Sequence, residues 1–456
     1  MEVGSPVSVV RSRSVVLDSG IGPADIVIEG NKIVAIHSEG TAAPQHWNQQ
    51  ILDVGDLVVM PGVVDTHVHV NEPGRTDWEG YWTATRAAAA GGITTLIDMP
   101  LNSNPPTTTL ENLQLKLHAA RDKCFVDTGF WGGVVPGNQF ALRPMIEVGI
   151  PGFKCFLIHS GVDEFPHVTE ADLRTSLAQL QGTGRVLMFH AEKELAHVKP
   201  PLNEPREYAT FLATRPDEME VEAIQTVIKL CLQYRVHCHI VHLSTAEALP
   251  LIKEARKAGA LLTVETTPHY LMLAAEGIPN GGTLYKCCPP IRTKSNQEQL
   301  WAALKAGEID MVVSDHSPCT AELKLLESGN FLKAWGGISS LQFSLPLFWT
   351  SARQRGFTIQ DIVNLMCKST ARLCGMEKRK GSLVTGKDAD IVIWDPNKDF
   401  EVTETIIHHK NKLTPYLGRK LQGEVFATIV RGKIVYMQGQ FSHKSFGECI
   451  LTNITQ

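Results

Sequence analysis

The chain has 456 residues, 43% hydrophobic and 20% charged, with 43 Lys+Arg against 48 Asp+Glu and a net charge of −5. These values exclude a disordered or collagen-like chain, and a mildly acidic protein has no electrostatic reason to hold nucleic acid. No apolar run reaches bilayer length, and residues 1–13 lack a basic segment followed by an apolar stretch, so no membrane span and no secretory signal are expected.

Residues 6–16, 25–29 and 32–36 are short β-branched runs, the last two joined by the turn pair Gly30-Asn31. Residues 389–394, 425–430 and 433–437 answer them at the far end, with Arg431-Gly432 as a turn. Two β-rich ends predict one small β-sandwich domain built from both termini. Between them, eight apolar runs occur at 57–70, 93–99, 125–135, 152–158, 186–190, 236–242, 261–267 and 311–314. Stretches 78–90, 171–180, 218–233, 246–258 and 297–306 carry apolar residues at three- and four-residue spacing, which predicts helices. Strand and helix alternate, so the expected class is α/β, a (β/α)8 TIM barrel. The expected domains are 1–58 and 380–456 for the β-sandwich and 59–379 for the barrel. A nucleotide-binding open sheet would need Gly-x-Gly-x-x-Gly after its first strand or a Walker A loop, and neither is present. The ten cysteines form no C-x-x-C pair, which predicts reduced, mostly buried thiols rather than a zinc ribbon or redox motif.

Barrel chemistry sits at the C-terminal ends of the strands. His67 and His69 end the first run two residues apart, so both rings face one side. His190, His242 and Asp315 end three later runs. Together these form a candidate metal site. Lys154 lies in the apolar run 152–158, where an ammonium is expensive to bury. It is either a snorkelling or salt-bridged lysine, or a neutral amine that combines with carbon dioxide to give N6-carboxylysine. A carbamate would share its charge over two oxygens and bridge two cations. The ligand count then closes with His67, His69 and Asp315 grouped as two histidines and an aspartate on one ion, His190 and His242 on the other, and Lys154 shared. Histidine-rich donors favour zinc, with other divalent transition metals as substitutes.

The segments Asp65-Thr66-His67-Val68-His69-Val70-Asn71-Glu72-Pro73-Gly74-Arg75 and Gly91-Gly92-Ile93-Thr94-Thr95-Leu96-Ile97-Asp98-Met99-Pro100 resemble the motifs of the cyclic amidohydrolases. Later blocks agree in order: Glu265-Thr266-Thr267-Pro268-His269-Tyr270, Cys288-Pro289-Pro290-Ile291-Arg292 and Ser314-Asp315-His316-Ser317-Pro318. The resemblance covers nearly the whole chain. It implies two metal ions holding a hydroxide that attacks a cyclic amide, with Asp315 as base and then acid. Dihydroorotases resemble H-x-H-x-R, whereas position 71 here is the neutral Asn71. Dihydropyrimidinases and hydantoinases usually carry a tyrosine soon after the bridging lysine, and Cys155-Phe156-Leu157-Ile158-His159-Ser160 has none. Asn71 to Gly80, Met99 to Thr107 and Lys154-Cys155-Phe156 look like the allantoinase family. That likeness implies allantoin, an uncharged hydantoin ring with a ureido arm, as substrate and allantoate as product of ureide breakdown. Asn71, Cys288, Ser317 and Gly337 would form its polar contacts. Asn71 is also readable as a turn residue before Pro73, and Arg75 either closes over the site or pairs with Glu79 at helical spacing.

Two other readings stand beside this one. Within enzymes the alternative is a hydantoinase or dihydropyrimidinase. Outside them it is a scaffold of the same superfamily, though such proteins have lost metal ligands that this chain keeps. Homo-oligomers, dimer or tetramer, are expected from the superfamily. Asn453-Ile454-Thr455 matches a glycosylation pattern expected to go unused, and Lys378-Arg379-Lys380 is too short for a nucleic-acid patch. The default location is the cytosol, with a peroxisome or mitochondrion left open.

Overall fold

Both chain ends enter the same β-sheet. The computed structural model describes residues 2–38, 50–198 and 204–452, so the Asn453-Ile454-Thr455 pattern lies outside the described residues. The first strands are β1 (Val9–Leu17), β2 (Gly20–Glu29), β3 (Lys32–Ser38), β4 (Ile51–Asp53) and β5 (Val58–Pro61). Nine strands follow through the middle: β6 (Val63–Val68), β7 (Ile93–Asp98), β8 (Asp127–Phe130), β9 (Gly132–Gly133), β10 (Gly152–Phe156), β11 (Val186–His190), β12 (Cys238–Ile240), β13 (Leu262–Thr266) and β14 (Met311–Val312). The chain closes with β15 (Ile391–Glu401), β16 (Lys420–Val430), β17 (Lys433–Met437) and β18 (Gln440–Phe441).

The terminal strands form one nine-stranded sheet in the order β18-β17-β16-β15-β5-β1-β2-β3, with β4 on β1. Val10, Ile26, Ile33, Val59, Ile391 and Ile429 form its apolar core. The run 57–70 is therefore two strands. β5 pairs with β15 and β1, whereas β6 pairs in parallel with β7. Both halves are buried throughout, so hydrophobic period alone could not reveal the change of sheet at Gly62.

The middle strands are parallel and follow chain order, as β6-β7-β8 and as β9-β10-β11-β12-β13-β14. Only Trp131 separates β8 from β9 in the chain. Beyond β14, His316 bridges in parallel to Val68, and the His69 N–H donates to the His316 carbonyl at 2.8 Å. Helices occupy Tyr81–Ala90, Glu170–Leu180, Asp217–Tyr234, Leu249–Lys257 and Lys294–Lys305, close to the predicted stretches. The sequence reading missed the helices Leu110–Ala120 and Ser344–Ala352. No helix among the described residues is long and apolar enough to cross a membrane. All ten cysteines are free, and eight of them are buried.

The two-residue period of the strands sorts their side chains. On β11, Leu187 and Phe189 pack in the larger core with helix residues such as Leu177 and Val227. Val186 and Met188 face the other way, into a cluster with Val64, Ile97 and Met311. His190 continues that second parity. On β10, Phe153 and Cys155 join the larger core, and Phe156 joins the inner cluster. Lys154 shares the parity of Phe156.

A buried charge cluster fastens the terminal sheet to β8. Lys380 Nζ lies 2.6 Å from Asp127 and 2.5 Å from Asp390, with Asp388 at 3.0 Å. Arg431 reaches the second oxygen of Asp127 at 3.1 Å. The three carboxylates are close enough to hold a metal ion, but the ammonium already occupies the space between them. Lys380→Met leaves the carboxylates buried without their cation. It is expected to lower unfolding stability by about 3–5 kcal/mol, read from denaturant midpoints; an unchanged midpoint would remove the cluster as a fastening.

Candidate active site

His67, His69 and Asp315 meet at the floor of a cavity of about 380 Å³. Their ligand atoms lie within 4.8 Å of one another, and all three residues are buried. His67 Nε2 is 3.2 Å from Asp315 Oδ1, and His69 Nε2 is 4.0 Å from the same oxygen. Across the cavity floor, His190 Nδ1 and His242 Nε2 are 3.1 Å apart. Lys154 lines the same cavity, its amine 5.2 Å from the centre of the Phe156 ring. All six predicted metal-site residues thus converge on one cavity.

Buried carboxylates fix the orientation of two of the rings. Glu265 Oε1 accepts from His67 Nδ1 at 2.5 Å, and Glu265 Oε2 lies 3.0 Å from His239 Nε2. With its Nδ1 proton engaged, His67 presents a lone pair at Nε2. Glu192 does the same for His190, lying 2.6 Å from Nε2 while its other neighbour, Arg215, approaches to 2.5 Å. His190 therefore presents Nδ1. The Asn102 amide sits 3.2 Å from His69 Nδ1.

Burial dominates the electrostatics. It pushes His67 down to about 4 and lowers His69, His190 and His242, so all four rings are neutral donors near pH 7. It pushes the Asp315 carboxyl well above its usual range. Burial also acts upward on Glu265, but the His67 and His239 rings outweigh it and hold that carboxylate below the ordinary range. Burial brings Lys154 down to about 8 against the pull of Glu265 and Asp315. The site therefore offers neutral imidazoles, one carboxyl able to exchange a proton, and an amine close to losing one.

Backbone strain marks the strand ends. Asn71, Asn102, His242 and Asp315 have φ of 67°, 69°, 38° and 46°. This left-handed region is uncommon outside glycine, and such residues concentrate at functional sites.

Cys288, Ser317 and Gly337 line the cavity. Gly337 must be glycine here, because an added Cβ would collide with the backbone carbonyl oxygen of Ser317. Asn71 is not among the lining residues. Its Nδ2 donates to the Pro318 carbonyl at 3.3 Å, and its left-handed backbone serves the turn before Pro73. The Arg75–Glu79 pairing also gives way. Arg75 reaches Glu164 at 2.5 Å and the Asn102 carbonyl at 2.8 Å, while Glu79 faces His316.

Glu265, Glu192, Asn102, Arg215 and Lys286 were not singled out from the sequence. The carboxylates did leave a signal. Each stands in or beside an apolar strand, where a charge needs a partner. Glu265→Gln keeps the shape and removes the charge behind His67. Metal affinity is expected to fall by about 10- to 100-fold in chelator competition, and an unchanged affinity would deny Glu265 this orienting role.

Residues 58–435 match the model of the Amidohydrolase family. The chain is 58% identical over 373 residues to a protein of Aquarana catesbeiana named "Allantoinase, mitochondrial", covering 82% of this chain and 77% of that one. It is 47% identical to the allantoinase of Streptomyces avermitilis, over 95% of this chain and 96% of that one. Among solved structures, the L-hydantoinase (dihydropyrimidinase) of Arthrobacter aurescens superposes with a TM-score of 0.91 at 31% identity, covering 98% of this chain and 100% of that one. With its histidine, lysine and aspartate side chains gathered at the ends of parallel strands, the chain belongs to the amidohydrolase family.

Proposed function

We propose that this enzyme is an allantoinase, hydrolysing the cyclic amide bond of allantoin to give allantoate in purine-ureide breakdown. One observation carries the reaction type: several neutral histidines and a proton-exchanging carboxyl meet, buried, at the floor of one cavity. The substrate follows the relatives, which are named as allantoinases at 58% and 47% identity.

The residues fit a pair of divalent cations. His67 Nε2 and Asp315 Oδ1, both acceptors, face each other at 3.2 Å, an arrangement that calls for a cation or a shared proton. His242 Nδ1 is buried without a hydrogen-bond partner. We infer that His67, His69 and Asp315 would hold one ion, that His190 and His242 would hold the other, and that Lys154, as N6-carboxylysine, would be shared between them. Zinc suits this donor set. When bound, such a pair supplies a hydroxide nucleophile at neutral pH and polarises the amide carbonyl. Asp315 takes the proton of the attacking water at its carboxylate and returns it to the departing ring nitrogen. Glu265 and Glu192 keep His67 and His190 in the tautomers that leave their inner nitrogens unprotonated. Cys288, Ser317 and Gly337 line the wall that would receive the ring.

We further infer that the parallel strands form one (β/α)8 barrel over 59–379. β8 and β9 act as a continuous edge, and the Val68–His316 bridge joins the ends. The segments 1–58 and 380–456 form a sandwich-like domain, with β5 at the junction. A homo-oligomer, dimer or tetramer, is proposed, in the cytosol or in an organelle such as the mitochondrion named for the Aquarana catesbeiana relative.

The test is turnover of racemic allantoin by zinc-loaded protein, following allantoate, with dihydrouracil and dihydroorotate alongside. Selective allantoate formation is expected. Opening of another ring without allantoate would overturn the substrate and keep the reaction type.

A further inference from the structure

Two lysines are buried behind one wall of the cavity. Lys286 donates to the Ala334 carbonyl at 2.6 Å and lies 3.4 Å from the Leu332 carbonyl. Lys324 donates to the Trp335 carbonyl at 3.1 Å and to the Gly337 carbonyl. Both brace the segment 332–337. Among the described residues neither ammonium has a carboxylate within 4 Å, although Lys286 is only 6% exposed and Lys324 4%. They differ in one respect. Lys286 lines the cavity, and Lys324 does not.

Burying a cation without a counter-charge is costly, and Lys324 already braces the wall. The cavity face of Lys286 therefore needs another account. The Phe211 ring, its centre 4.9 Å from the amine, eases the charge on one side, but an ammonium has three donors, and the two carbonyls leave one over. The half-buried Arg215 on this side is engaged by Glu192, whereas Lys333 is exposed at the rim. Position 286 is also tied to the ring-binding wall, because the Gly337 N–H donates to the Lys286 carbonyl at 2.9 Å.

We propose that Lys286 is a specificity-determining residue that donates a hydrogen bond to the carbonyl oxygen of the ureido arm of the substrate. The proposal rests on the allantoin reading above and adds the group that distinguishes allantoin from the bare hydantoin ring. A cation is suited to an uncharged ureide, since it pairs with a strong carbonyl acceptor and no ligand carboxylate is required.

The experiment compares Lys286→Met and Lys324→Met in the zinc-loaded enzyme. KM and kcat are measured for allantoin. Hydantoin, the same ring without the ureido arm, is measured as a competing ligand through its inhibition constant, so that its own turnover is not needed. Lys286→Met is expected to raise KM for allantoin by about 10- to 100-fold, the loss of one hydrogen bond to a charged group, while the hydantoin constant stays within about twofold. Lys324→Met should move both constants together, as a bracing residue would. Parallel shifts in Lys286→Met, or no shift in either constant, would overturn the proposal and leave Lys286 as a second brace. An unfolded Lys286→Met with a folded Lys286→Arg that retains the wild-type ratio of the two constants would support it; a folded Lys286→Ala with that ratio would oppose it. Absence of allantoin turnover by the unaltered enzyme would instead remove the functional reading, and this assignment with it.

Discussion

Asp315→Asn is expected to fold normally and to lose about 10²- to 10⁴-fold of allantoin turnover. The backbone accepts the change, because residue 315 has φ of 46° and asparagine is one of the few side chains that enter the left-handed region readily. The volume hardly alters in a pocket that buries this residue. What disappears is the exchangeable proton. Burial pushes the Asp315 carboxyl well above its ordinary range, so it can hold a proton that an exposed carboxylate would give up to water. An amide can do neither half of that exchange. The substituted side chain can still offer an oxygen as a ligand, so metal content must be measured beside the rate. Low turnover at full metal content would isolate the proton step. Low turnover with lost metal would show the ligand role instead, and near-normal turnover would remove Asp315 from the chemistry.

The sequence made the convergence of His67, His69, Lys154, His190, His242 and Asp315 legible because each ends, or lies within, an apolar run. Strand periodicity then dictates the side on which a residue such as His190 stands. The parallel order of the strands was legible for the same reason, through their alternation with amphipathic helices. Less visible was everything that depends on contacts distant in the chain. Glu265 reaches His67 across 198 residues and His239 across 26, and no local pattern announces either pair. The split of 57–70 at Gly62 was hidden because β5 and β6 are equally buried although they serve different sheets. Left-handed backbone at His242 and Asp315 was hidden as well, since both residue types stand at negative φ in most settings. The position of Asn71 after His69 suggests a substrate role, whereas its φ and its bond to Pro318 fit the turn reading.

Lys154→Ala tests the most unusual member of the site. Lys154 is 1% exposed, and burial draws its amine down to about 8 even though Glu265 and Asp315 favour the charged form. At pH 7 about a tenth of such an amine is unprotonated and able to combine with carbon dioxide, releasing a proton and leaving one negative charge on the carbamate. Histidines made neutral by burial cannot supply that charge, and Asp315 would be left as the one charged side chain among the ligands. Removing the lysine is therefore expected to lower bound zinc below two per chain and to cut turnover by at least about 10³-fold, beyond the about 10- to 100-fold expected for an orienting neighbour of a ligand. Acetate or propionate added to the variant should enter the space vacated by the side chain and restore part of both. In the unaltered protein, metal uptake in bicarbonate should speed up as pH rises toward about 8 and level off above it, because only the neutral amine reacts. A Lys154→Ala protein with two zinc ions and a normal rate would make the lysine structural. Loss of metal without rescue by any short carboxylate would leave a ligand role but not a bridging carboxylate. Rescue that follows the size of the added acid is the outcome that a carbamate requires, since the added carboxylate then supplies the charge and the two oxygens that the modified lysine would have placed between the histidine pairs.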